Sequence, residues 1–252
     1  MKSSVRTCES YLLTQADIGT SSPDWHRSVF QGLADRLGPQ SGFPCPFSRN
    51  AFKNGLLRFA FVENTSDSSY RHLGRALAEY VELSRDWNGD INTAYPLLVA
   101  FSQEAAAAQT VEEYHEFGWT VLQKLHEIDP APWPEGVGAD PDSPFWSMCF
   151  NGMPLFCNMS HPAHRIRKSR NLGEHFIFVI NPRERFDDVA GDTPSGRKLR
   201  AAIRGRIAAY DQSEHCLQLG TYGSGAVEWQ QYGIIEENAE RTERCPFMFR
   251  NP

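Results

Sequence analysis

Apolar side chains along this chain recur with two periods, and the period changes mark its elements. Val29, Phe30, Leu33 and Leu37 repeat at helical spacing, which predicts a helix with Ser22 as cap, Pro23 in its first position and Gly38-Pro39 as its stop. Tyr70, Leu73, Leu77, Tyr80, Val81 and Ser84 predict a second long helix over about 67–87. Thr110 and Glu113 form a capping box ahead of Tyr114, Phe117, Val121, Leu122, Leu125 and Ile128, so a third helix runs to about Glu127. Thr193-Pro194-Ser195 opens the last clear helix, with Leu199, Ala202, Ile203 and Tyr210 inward and Arg197, Arg200 and Arg204 outward.

Denser apolar runs read as strands. They are 56–63, 95–101 with Pro96 confining its start to an edge or strand end, 153–159, and 176–180 closed by Asn181-Pro182. A short strand is expected over 227–232. Residues 1–21 read as an irregular segment, and 130–144, rich in Pro, Gly and Asp, as a long surface loop. Helices and strands alternate early and become strand-rich in the middle, without the glycine-rich regularity of a dinucleotide fold. The expected architecture is α+β, one domain over 1–252 with helices packed on a mixed β-sheet.

Composition narrows the function. With 252 residues and 40% hydrophobic content the chain can bury a substantial core. No apolar run is long enough for a membrane span and no signal peptide is visible at the start, so a cytoplasmic location is expected. The formal charge of −6 disfavours nucleic acid as a partner and suits a cationic small molecule better. Six cysteines without a Cys-x-x-Cys pair argue against a disulfide framework or a zinc ribbon. The sequence holds no phosphate-binding loop, dinucleotide fingerprint or nucleophile elbow.

Two stretches carry candidate chemistry. In Phe43-Pro44-Cys45-Pro46-Phe47, Pro46 fits the first position of a short helix ending at Gly55, which places Cys45 at the N-cap. Backbone N–H groups and the positive helix end would favour a thiolate there, although the local pattern reads equally well as a buried structural cysteine. The second stretch, His161 to Gly173, gathers two histidines and four cationic residues, Arg165, Arg167, Lys168 and Arg170. It reads either as a solvated surface or as an anion site, and His161 and His164 read more readily as hydrogen-bonding groups than as metal ligands.

Phe43-Pro44-Cys45, Phe52-Lys53, Leu57-Arg58-Phe59-Ala60-Phe61-Val62, Ser160-His161-Pro162-Ala163-His164, Ser169-Arg170-Asn171-Leu172-Gly173 and Ile180-Asn181-Pro182-Arg183-Glu184-Arg185-Phe186-Asp187 together resemble the YqcI/YcgG family. The resemblance covers about 25–212. It implies a haem b with Cys45 as the axial iron ligand, and hydroxylation of nitrogen in a guanidine or amine, notably L-arginine, in natural-product biosynthesis. On that footing Phe43 and Phe47 would shield the iron–sulfur bond. Arg165 and Arg170, with His161, His164 and Asn171, are candidates for propionate binding or the distal pocket, and Glu63 and Glu104 for holding a guanidinium. The oxidant would be O2 with an external electron donor, or peroxide. A haem or redox sensor using the same cysteine is the alternative, and a haem-free reactive thiol a third reading.

Overall fold

The structure is a computed structural model that describes residues 10–220 and 225–250. Alternation in three central strands decides the layering. In β2 (Arg58–Val62), β3 (Leu97–Phe101) and β6 (Ile177–Pro182), Phe59, Leu98, Ala100 and Ile177 enter one core, and Ala60, Val62, Leu97, Val99, Phe101, Phe178 and Ile180 another. Both sheet faces are therefore apolar, and both need a cover of helices. On the first face lie α1 (Asp24–Leu37) and α2 (Pro46–Lys53), through Val29, Leu33, Leu37 and Ala51. On the second lie α3 (Asp67–Arg85) and α4 (Val111–Glu127), through Leu73, Leu77, Tyr80, Val121, Leu122 and Leu125.

The sheet is completed by β1 (Leu13–Thr14), β4 (Met148–Phe150) and β5 (Met153–Ser160), in the order β1-β2-β3-β6-β5-β4. Only β2 and β3 are parallel, joined through α3; the other neighbours are antiparallel. This is the α+β arrangement of helices on a mixed sheet that the pattern predicts. The α4 capping box forms as expected, Thr110 accepting from the Glu113 N–H. Thr193 likewise caps α6 (Pro194–Asp211).

Four expectations change. Ser22 does not cap α1: Pro23 stands at the N-cap, and Ser22 closes the preceding turn onto Gly19 instead. Within 1–21, residues 1–9 lie outside the described residues, while Leu13–Thr14 pair as an edge strand against Phe59 and Arg58. The stretch 227–232 is no strand. Glu228–Gln231 form a 3-10 turn, because Trp229 and Tyr232, three apart, both enter the core. A seven-residue helix, α5 (Glu184–Ala190), follows β6 directly and was not expected. Residues 130–144 contain no helix or strand, as their composition predicts.

Candidate functional site

On the α1–α2 side of the sheet lies a cavity of about 390 Å3. Its floor is set by strand register. Phe156 sits opposite Asn181 and Asn158 opposite Val179, so alternate residues of β5 and β6 share this face, together with Ser160. One wall is the Cys45 turn with Phe43 and Phe47. Another wall is α6, where Arg200, Ile203, Arg204 and Ile207 recur at helical spacing toward the cavity. Arg200 and Arg204 thus line the cavity rather than facing outward, because the face of α6 that meets the protein meets this space. Cys45 opens α2 as predicted, in an extended conformation (φ −87°, ψ 109°) with Pro46 in the first helical position.

The charge beside the sulfur has a different source from the one expected. No N–H of the helix start reaches the Cys45 side chain. Instead Arg170 faces the cavity and interacts electrostatically with Cys45, Cys216 and Asp211. Arg170 is buried, its Nη1 has no hydrogen-bond partner, and burial pushes its pKa down to about 10 against the pull of those three groups. The 3-10 turn Lys168–Arg170 holds it there, since Asp211 of α6 accepts from both the Ser169 N–H and its hydroxyl at 2.7 Å. Arg206 of the same helix donates to the Pro44 carbonyl, and Tyr210 meets Phe43 edge-on at 5.7 Å.

The basic stretch is neither a solvated surface nor one site. Ser160 and Arg170 face the cavity, but His161, one residue past Ser160, falls on the other side of the sheet by strand alternation. There His161 and His164 meet His115 of α4, all three buried. Burial pushes His115 down to about 3 and His161 to about 2, so both rings are neutral at pH 7. Glu236 braces the stretch, accepting from His164 Nδ1 at 2.6 Å and from the backbone N–H groups of Arg165, Ile166 and Arg167. These donors outweigh its partial burial and hold its carboxyl at about 2.

Of the other expected site residues, Arg165 is exposed and away from the cavity, and Asn171 braces the loop by donating to the His164 carbonyl at 3.1 Å. Glu63 is exposed and holds Trp25 Nε1, and Glu104 is exposed; neither lines the cavity. The carboxylates that do are Asp187 and Glu228, both bound to Arg183, at 2.9 Å in each case. Glu228 also accepts from Ser147 and Tyr232, yet burial raises its carboxyl above the usual range. Arg183 and Asp187 lie in a motif already quoted, without any pattern that gives them a role. His115 and Glu228 carried no signal at all: each is a polar residue next to an apolar stripe, and only the fold turns it inward.

The sequence model of the YqcI/YcgG family matches residues 33–248. The chain belongs to the YqcI/YcgG family. Among its relatives, a Streptomyces lavendulae protein named "Putative N(omega)-hydroxy-L-arginine synthase DcsA" is 62% identical over 239 residues, 95% of this chain and 90% of the relative. Two Bacillus subtilis (strain 168) members, named as uncharacterized proteins YcgG and YqcI, are 36% and 32% identical, each over 90% of this chain and 89% of the relative. No solved structure matches the chain. Among the described residues, no helix is long and apolar enough to cross a membrane.

Proposed function

We propose that this chain is a haem-thiolate monooxygenase that N-hydroxylates the guanidine of L-arginine, with Cys45 as the axial ligand of haem b. The observation that carries the reading is the placement of Cys45 at the mouth of α2, on the wall of a largely apolar cavity, beside a buried arginine with an unpartnered Nη1. Identity of 62% to a relative named for hydroxyarginine synthesis supports the substrate class.

The residues present fit the group. A sulfur donor, aromatic neighbours and buried cations suit the iron, the macrocycle and the propionates in turn. Haem bound there supplies oxygen activation, with the sulfur donating electron density to the iron. Arg170 and Arg204 would counter the propionate charge, and Phe43 and Phe47 would keep water from the sulfur. Asn158, whose buried Oδ1 has no partner and lies on the cavity floor, accepts a guanidinium N–H, and Asp187 supplies negative charge at the rim. These two take the part that Glu63 and Glu104 were expected to play. His161 and His164 lie off the cavity, away from the propionate or distal-pocket role expected of them.

The reaction consumes arginine, O2, two electrons and two protons, and yields hydroxyarginine and water. The electrons come from an external donor; hydrogen peroxide in place of O2, the electrons and the protons balances equally. In C45A the red-shifted Soret band of the reduced CO complex should vanish together with a product heavier by one oxygen, while C245A keeps both. A C45A protein that retains band and turnover overturns the ligand assignment, and wild-type haem protein that never oxygenates arginine overturns the hydroxylase reading in favour of a sensor.

A further inference from the structure

We infer that His115, His161 and His164 form a binding site for a zinc-type divalent transition metal ion, separate from the Cys45 cavity. Their candidate ligand atoms all lie within 4.8 Å of one another, and none of the three residues lines the cavity. Four ring nitrogens in this one place are buried without a hydrogen-bond partner: His115 Nε2, both nitrogens of His161, and His164 Nε2. Buried polar atoms are rarely left unpaired, and three of them, one from each ring, lie close enough for one ion to partner all three. Neutral imidazoles offer lone pairs, and a set of three with no carboxylate among them suits zinc, copper or nickel rather than calcium or magnesium.

The surroundings are those of a built site. Glu236 binds His164 Nδ1 at 2.6 Å, which turns Nε2 toward the cluster, as the carboxylate behind a ligating histidine does. That carboxylate is itself fixed by three backbone N–H groups. His115 is held from the other side by Gly233, where a Cβ would stand 2.9 Å from the ring. Bonds of about 2.0–2.1 Å place tetrahedral nitrogens about 3.3 Å apart, so the nitrogens must close by at most about 1.5 Å, within reach of small side-chain rotations.

Access is also present. A groove of about 500 Å3 reaches His115 and is lined by Glu112, Glu116 and Arg241 among others. Glu112, Glu116 and Glu243 outnumber Lys124 and Arg241 along this groove, which favours the approach of a cation. A bound ion would clamp α4 to the loop that carries Arg170, since the His161 N–H donates to the Arg170 carbonyl at 3.0 Å.

The test uses the full chain. Wild type grown with added Zn2+ should carry about one zinc per chain after gel filtration, counted apart from haem iron. C45A should keep this zinc, so failure of the haem assignment leaves the result intact. H115Q and H161Q should lose it, and H72Q, at an exposed histidine, should not. Wild type stripped with a chelator and titrated with Co2+ should show the intense visible bands of a tetrahedral ion, displaced by Zn2+; this readout stands even if the histidine variants fail to fold. Wild type that holds no zinc and develops no Co2+ bands overturns the site, and so do folded H115Q and H161Q proteins that bind Co2+ as wild type does.

Discussion

Arg206 Nε donates to the Pro44 carbonyl oxygen at 3.1 Å, so the last long helix holds the turn that presents Cys45. Sequence separation between the two is 162 residues, and the contact makes α6 a wall of the cavity and a brace for the cysteine at once. R206A should lower global stability by about 1 kcal/mol, the net value of one such hydrogen bond. It should also speed haem loss while leaving the Soret position unchanged, because the sulfur is still present. A shifted Soret band in R206A would show that the turn alone does not set the ligand.

Arg170 is a buried cation on the cavity wall, and R170Q tests it. Loss of charge-assisted hydrogen bonds worth roughly 1.5–3 kcal/mol should speed haem dissociation by about 10- to 100-fold. Transfer of haem to apomyoglobin measures the rate. R165Q, at an exposed position, should match wild type.

Glu228 gives a pH signature. Burial raises its carboxyl in the folded state, so its contribution to stability is greatest below the unfolded pKa near 4.5 and is lost as pH rises through the higher folded value. E228Q imitates the protonated carboxyl, so at low pH it should match wild type to within about 1 kcal/mol. As pH rises above 4.5, wild type should lose stability relative to E228Q, as read from urea unfolding. Wild type that gains on E228Q as pH rises would reverse the sign of the shift.

Cysteine labelling separates the thiols. Burial pushes Cys149 and Cys157 far up and Cys245 up to about 12, whereas Cys45 is half-buried on the cavity wall. Iodoacetamide at neutral pH should therefore modify Cys45 before those three in haem-free protein, and far more slowly once haem is bound. Peptide mass spectrometry after timed quenching reads the order.

Local chemistry explains what could be read in advance. The proline after Cys45 and the Thr110–Glu113 box act within one helical turn, so their elements form where the pattern puts them. The stripe of α3, from Tyr70 to Ser84, is legible for the same reason: a 3.6-residue period is a property of the chain itself. The 3-10 turn at Glu228 was misread as a strand because a short apolar run has no period of its own. Arg204 was misread as outward because the cavity, rather than solvent, lies beside that face of α6.

Sequence alone determined the long helices and the central strands, the α+β class, the family and the cysteine at a helix start, since each rests on residues close together or on motifs in a fixed order. The tertiary structure decided which polar residues share a site. Strand alternation sends Ser160 into the cavity and His161 to the opposite side, and β5–β6 register brings Asn158 onto the floor of the cavity that Cys45 lines. His115 meets His161 and His164 only because α4 packs on that second face. Burial then sets their charge states, and burial is a property of the assembled layers, not of any segment.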